Sequence, residues 1–208
     1  NWSLDEITED MLLTTDDIEA LQSRFPDDIL YAAPATGANG SAKVQRAEAT
    51  LYLNGVAANY TQFSKNINIL HGRAINQRDV DGARYNILIP VEAAKHFFGR
   101  EDAVGETLPT DISGNAVDLT VVGVYEIPPS IFTQMDTSTG YSCYLPYSAL
   151  MQGGNDSFSY IEIFASEDKD VDKTATSFID YLEKYKDTED STYQYESMQQ
   201  QVGMINTV

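Results

Sequence analysis

Short apolar segments separated by glycine and proline fill the middle of the chain and limit the folds open to it. Ile87 to Ile89, Val117 to Tyr125 and Tyr141 to Leu145 have the length and composition of strands. In this region, the segment from Val91 to Phe98 is the one that reads as a helix. The pattern therefore predicts that the centre of the chain, residues 54–156, is β-rich and contains one short helix.

Two segments nearer the ends of the chain predict longer helices. In residues 14–25, Thr14 is the expected N-cap, acidic residues occupy the first turns, and Pro26 stops the helix. Residues 169–186 place their apolar side chains on one stripe, which makes them the clearest helix in the sequence.

Segments of alternating character flank these two helices. Ile29 to Ala33 and residues 44–53 read as strands on either side of a turn predicted at Thr36 to Ser41. Phe158 to Ala165 is apolar at most positions, and Thr192 to Glu196 is the expected returning strand. The sequence thus predicts two strand–helix–strand units, one near each end.

Together these elements predict the α+β class. Residues 1–53 and 157–208 are expected to form a ferredoxin-like subdomain from the two βαβ units, and residues 54–156 a β-rich subdomain inserted into it. The last stretch, residues 197–208, is expected to begin a further helix.

The charge of the chain restricts its partners. Thirteen Lys and Arg against 32 Asp and Glu give a formal net charge of −19. Such an acidic surface repels the phosphate backbone of DNA and RNA and the headgroups of anionic lipids, so nucleic acid is excluded as a partner. The negative surface charge either attracts a cationic peptide or a basic partner surface, or only keeps an exposed domain soluble.

Membrane and disulfide signals are also missing from the sequence. It contains no apolar run of 18 residues, it does not open on a signal peptide, and its single cysteine, Cys143, cannot form an intrachain disulfide. Because the sequence starts at Asn1 rather than at an initiator Met, we expect it to be part of a longer protein.

Motifs that carry catalysis are missing as well. The sequence has neither an ATP-binding P-loop nor the Gly-x-Ser-x-Gly of hydrolases. His71, His96 and Cys143 lack the local spacing of a zinc site, and the acidic run at residues 168–172 lacks the glycine and glutamate of a calcium loop. No catalytic residue, cofactor or metal is therefore predicted.

Eight residues, five of them glycines, occur along the chain in a specific order. The motif residues are Gly55, Gly72, Arg73, Asp79, Gly99, Gly105, Gly123 and Pro146. The glycines are expected where the chain changes direction or where backbones approach closely, and Arg73 is expected to bind Asp79 through a charge-assisted hydrogen bond. In order and spacing, this set resembles the extracytoplasmic core domain of MacB-type ABC transporter permeases, a family with FtsX-like membrane helices.

The resemblance implies a non-catalytic domain on the outer side of the cell membrane, inserted between the first two transmembrane helices of a permease. It implies a second permease copy as a partner, together with a cytoplasmic ATP-binding cassette subunit or domain and, in Gram-negative members, an adaptor protein. The resemblance also implies that the domain has a mechanical function, in which its movements couple ATP hydrolysis inside the cell to export or signalling. Since two neighbouring membrane helices would receive the chain, its two ends are expected to lie close together on one face.

Two other interpretations of the residues stay open. One is a surface-exposed module that binds a peptide or a sugar, and the other is a secreted hydrolase that uses a pair of carboxylates. The loop at residues 128–141 contains Ile131, Phe132 and Met135, which either form a partner contact or fill the core of the β-rich subdomain.

Overall fold

A computed structural model describes residues 12–64, 67–127, 140–152, 157–167, 169–188, 193–198 and 201–206. The chain divides into two compact units, residues 1–35 with 153–208 (unit 1) and residues 36–152 (unit 2). The elements, in chain order, are β1 (Leu13–Thr14), α1 (Thr15–Arg24), β2 (Ile29–Pro34), β3 (Thr36–Val44), β4 (Ala47–Val56), α2 (Tyr60–Phe63), β5 (Asn68–Gly72), α3 (Gln77–Asp81), β6 (Asn86–Pro90), α4 (Val91–Phe98), β7 (Thr107–Ile112), β8 (Asn115–Glu126), β9 (Tyr141–Pro146), α5 (Tyr147–Leu150), β10 (Ser157–Phe158), β11 (Tyr160–Ala165), α6 (Val171–Lys186), β12 (Tyr193–Met198) and β13 (Gln201–Asn206). Helices and strands occur in both units, so the predicted α+β class is confirmed.

Unit 1 contains a four-stranded antiparallel sheet in the order β12–β13–β11–β2. The alternate residues Ile161, Ile163 and Ala165 of β11 are buried, as are Phe178 and Leu182 of α6. The segment β11–α6–β12 is a split βαβ unit, because β13 lies between its two strands. α6 packs on β12 and β13, while α1 packs on β2 and on α6.

The two long helices of unit 1 begin and end where their local sequence predicts. α1 starts after Thr14, which forms a capping box with Asp17, and α6 starts after Asp170, whose side chain accepts a hydrogen bond from the backbone of the first turn. The ring of Phe25, at the C-terminal end of α1, lies 4.9 Å from that of Phe178 in α6. Asp17, in the first turn of α1, is bound by Lys186 at the C-terminal end of α6, so the two helices run antiparallel.

One prediction for unit 1 is wrong, and a second is not confirmed. Residues 201–206 form strand β13 instead of beginning a helix, because they pair with both β11 and β12. β1 has two residues and pairs with β10 outside the four-stranded sheet, so the described residues contain one βαβ unit rather than two. A complete ferredoxin-like arrangement is therefore not seen in the described part of unit 1.

The described part of unit 2 forms a seven-stranded sheet in the order β5–β8–β6–β9–β4–β3–β7. β7 also pairs with β8, which closes six of these strands into a ring and leaves β5 as an added strand. The 12-residue strand β8 pairs with β6 and also with two further strands, since Asn115 to Thr120 pairs with β7 and Gly123 to Glu126 with β5. The ring buries an apolar core that includes Leu53, Ile89 and Phe97 of α4.

The division between the units comes earlier in the chain than the predicted division after residue 53. β4 pairs in parallel with β9 and β3 pairs with β7, so residues 36–53 belong to unit 2. The turn predicted at Thr36 to Ser41 is wrong for the same reason, because these residues lie in β3. The β3–β4 hairpin instead turns at Gln45, which has a φ of +54°.

None of the helices in the described residues is long and apolar enough to cross a membrane.

Candidate functional site

The predicted ion pair between Arg73 and Asp79 is present in unit 2. The Asp79 carboxylate, with a side chain only 1% exposed, accepts hydrogen bonds at 2.5 and 3.1 Å from the two terminal nitrogens of Arg73. It also accepts one from the backbone N–H of Asn76 at 3.0 Å and one from the side-chain amide of Asn86 at 2.8 Å. Asp79 therefore joins the turn after β5, the start of α3 and the start of β6.

The electrostatics of this pair follow from its geometry. Burial opposes ionisation of Asp79, but the hydrogen bonds from Arg73, Asn76 and Asn86 outweigh it and hold the pKa of the carboxyl below its usual value. The hydrogen bond between Arg73 and Asp79 also raises the pKa of Arg73. The carboxylate is thus ionised and fully engaged at neutral pH, as expected of a structural ion pair.

Two motif glycines lie where Arg73 crosses β8. Gly72 and Gly123 are opposite each other in the β5–β8 pair, and the N–H of Arg73 donates to the carbonyl of Val122 at 3.0 Å. A side chain at Gly123 would overlap the carbonyl of Arg73, and Gly72 also has a φ of +73°. The two glycines therefore permit the close crossing that presents Arg73 to Asp79.

The other four motif residues lie at turns or strand ends of unit 2. Gly99 ends α4 in the left-handed conformation that its predicted C′ position requires. The N–H of Gly105 donates to the carbonyl of Val121 at 2.8 Å. Gly55 is the ninth residue of β4, and Pro146 is the last residue of β9. All four residues thus lie within unit 2, at the positions where its chain turns or a strand ends.

The three residues predicted as a partner contact, Ile131, Phe132 and Met135, lie outside the described residues. That interpretation stays a prediction.

A second buried polar cluster, in unit 1, joins α1 to the end of α6. The ammonium group of Lys186 donates to the Asp17 carboxylate at 2.7 Å and to the backbone carbonyl of Leu12 at 2.9 Å. The Asp17 carboxylate also accepts the N–H of Thr14 at 2.9 Å. The Lys186 and Asp17 side chains are 10% and 3% exposed, so water screens this ion pair little.

One turn earlier in α6, the carboxylate of Glu183 accepts the backbone N–H of Tyr193 at 3.3 Å. Tyr193 is opposite Asn206 in the β12–β13 pair. The C-terminal turn of α6 therefore contacts both Leu12 and the strand that pairs with Asn206. The described ends of the chain thus lie at the same end of α6. The prediction for the termini themselves concerns residues 1–11 and 207–208, which are outside the described residues, and it stays a prediction.

An open depression of about 490 Å³ lies between α6 and β12. Its lining includes Ile179, Asp180, Glu183, Tyr193 and Tyr195. Two carboxylates border it, but Glu183 already accepts the hydrogen bond from Tyr193. The depression offers aromatic and acidic surface without a constellation of groups that would perform catalysis.

Cys143 and His96 carry reactive side chains, and both lie in the described part of unit 2. Cys143 is buried in β9, and burial raises the pKa of its thiol, which suppresses the nucleophilic thiolate. His96 contacts the carbonyl of Glu48 at 3.2 Å through its ring nitrogen. Among the residues that the structure describes, no three His, Cys, Asp or Glu side chains converge as a metal site requires.

Comparison with solved structures identifies the fold as that of the outer domains of ABC transporters. The extracellular domain of the ABC-type transporter YknZ from Gram-positive bacteria is 17% identical, with 87% of this chain and 88% of that chain covered and a TM-score of 0.64. The periplasmic region of MacB from Actinobacillus actinomycetemcomitans is 20% identical, with 93% of this chain and 78% of that chain covered and a TM-score of 0.64. Among curated proteins, none matches the chain.

The sequence profile of the MacB-like periplasmic core domain matches residues 4–181. The chain belongs to this family, as the order of its motif residues predicts.

Proposed function

We propose that the chain is the extracytoplasmic domain of a MacB- and YknZ-like ABC transporter permease, and that it couples ATP hydrolysis inside the cell to export or signalling without catalysing a reaction itself. The observation that carries this proposal is the family match across residues 4–181. The fold shared with the outer domains of YknZ and MacB supports it.

The geometry of unit 1 suits attachment to a membrane through both ends of the chain. Leu12 and the β12–β13 pair, which ends at Asn206, are both held at the C-terminal turn of α6. Two neighbouring transmembrane helices would deliver and receive a chain at adjacent points. Ends on opposite sides of the sheet would not fit that attachment.

A non-catalytic role agrees with how the buried carboxylates are used. Asp79 and Asp17 are each engaged by a cation and by backbone N–H groups, so neither is available as a general base. Energy would enter through the ATPase, and the domain would respond by moving as packed units. The partners proposed for this work are a second permease copy, a cytoplasmic ATP-binding cassette subunit or domain, and an adaptor protein.

Labelling in intact cells tests the location. A cysteine introduced by Ser23→Cys on the exposed face of α1 in the full-length permease should react with a membrane-impermeant maleimide added outside the cell. The parent protein is the matched control, because its Cys143 is buried and should remain unlabelled. Labelling of Ser23→Cys that requires cell lysis would contradict the proposal.

A cell-surface binding module is the second candidate, and the depression between α6 and β12 favours it, since Tyr193, Tyr195 and Asp180 line it. The full-length gene product separates the two. An apolar stretch of about 20 residues on each side of the domain supports the permease, whereas a single anchor supports the binding module.

A further inference from the structure

Several buried polar contacts of unit 1 gather where the described chain enters and leaves. We name Asp17, Glu183, Lys186 and Tyr193 the end clamp. Lys186 is joined to Asp17 at 2.7 Å and to the carbonyl of Leu12 at 2.9 Å, which holds the entering segment. Glu183 accepts the N–H of Tyr193 at 3.3 Å, which holds the leaving β12–β13 pair.

All four side chains of the end clamp are withdrawn from solvent. Asp17, Glu183 and Tyr193 are 2%, 7% and 2% exposed. Burial, together with the charges of Asp17 and Glu183, raises the pKa of the Tyr193 hydroxyl. Within the last turn of α6, Lys186 thus binds the buried Asp17, and Glu183 binds the first residue of β12.

Removal of that cation would disturb more than one contact. A buried carboxylate left without its partner is strongly unfavourable, so Asp17 would have to move towards water. Asp17 also accepts the N–H of Thr14, and its partner Lys186 lies one helical turn from Glu183, which binds the N–H of Tyr193. A shift of Asp17 would thus reach both the entering and the leaving segments.

We propose that the end clamp couples the two ends of the chain, so that β1 and the β12–β13 pair loosen or tighten together through Lys186. In the transporter proposed above, on which this use of the clamp rests, the two membrane attachments would then move as one rather than independently. The coupling itself is a property of unit 1 and can be measured without transport.

Two backbone amides report on the two ends separately. The Thr14 N–H donates to Asp17, and the Tyr193 N–H donates to Glu183, which is not a hydrogen-bond partner of Lys186. Amide hydrogen exchange, followed by NMR on the 208-residue chain, would compare the parent with Lys186→Met. We expect exchange to accelerate at least about tenfold at both amides, with Ile163 in the centre of β11 as the internal reference.

Two substitutions control the experiment. Lys184→Met removes an exposed cation from the same helix turn and should leave both amides unchanged. Lys186→Arg keeps a charged donor and should retain most of the protection at Thr14 and Tyr193.

Acceleration at Thr14 with an unchanged Tyr193 amide would overturn the proposal, because Lys186 would then hold the entering segment alone. If Lys186→Met accelerates exchange at Ile163 to the same extent, unit 1 has opened as a whole. The comparison is then made with Asp17→Asn, which preserves the side-chain shape. An unchanged Tyr193 amide in that variant would likewise overturn the proposal. Failure at this step would leave the transporter proposal intact, since maleimide labelling of Ser23→Cys tests that independently.

Discussion

Arg73→Met tests whether the Arg73–Asp79 pair holds unit 2 together. The substitution keeps most of the side-chain length but leaves Asp79, 1% exposed, without its cation. Loss of one partner from a fully buried pair costs about 3–5 kcal/mol. Here Arg73 is 44% exposed and the carboxylate keeps its hydrogen bonds from Asn76 and Asn86, so we expect a loss of about 2 kcal/mol in the free energy of unfolding.

The pH dependence of this effect has a definite sign. The folded-state pKa of Asp79 lies below its unfolded value of about 3.9, so its ionisation stabilises the fold above that pH. This contribution is lost as the pH falls through the folded pKa. The difference in stability between the parent and Arg73→Met should therefore be largest near pH 7 and shrink below about pH 4.

Chemical denaturation followed by circular dichroism at several pH values measures this difference. Arg78→Met is the matched control, because it removes an exposed arginine from α3 and should change stability by less than about 0.5 kcal/mol. Equal effects of Arg73→Met and Arg78→Met, or an effect of Arg73→Met that does not vary with pH, would refute the role given to the pair.

Three further outcomes are expected. Gly123→Ala should destabilise unit 2 by more than about 2 kcal/mol in denaturation, because its Cβ would overlap the Arg73 carbonyl. Gly99→Ala has open space around it and should cost only about 1 kcal/mol, because the φ of Gly99 is +68°. Equal costs of the two substitutions would refute the close crossing at Gly123. Asp170→Ala should lower the stability of unit 1 by about 1 kcal/mol through loss of the α6 N-cap, and an unchanged melting curve would contradict this. Cys143 should resist a thiol reagent in the native chain and react on unfolding, so rapid native labelling would disagree with its burial.

The features that were predicted correctly depend on residues close together in the sequence. The Thr14 cap, the stripe of α6 and the Pro90 and Gly99 boundaries of α4 are all local signals, and α1, α4 and α6 lie within about two residues of their predictions. The prediction of one short helix in residues 54–156 is wrong, because the short helices α2, α3 and α5 also lie there. Arg73 and Asp79 are six residues apart, so one turn is enough to bring them together.

The features that were missed depend on distant partners. Lys186 and Asp17 are 169 residues apart, and neither residue has a local pattern that points to the other. The glycines of Thr36 to Ser41 are typical of a turn, yet pairing with β4 and β7 places this segment in a strand. β13 was missed because its two neighbouring strands, rather than its own composition, determine its structure.

A distance measurement in the full-length permease tests the central claim, that the domain moves outside the membrane in step with ATP hydrolysis inside the cell. Spin labels at Ser23→Cys in two permease copies, reconstituted with the ATPase, would report the distance between the two domains with and without nucleotide, and the buried Cys143 should stay unlabelled. We predict that the distance distribution shifts between the nucleotide-free and the ATP-bound states. An identical distribution in both states, in a preparation that hydrolyses ATP, would contradict the claim.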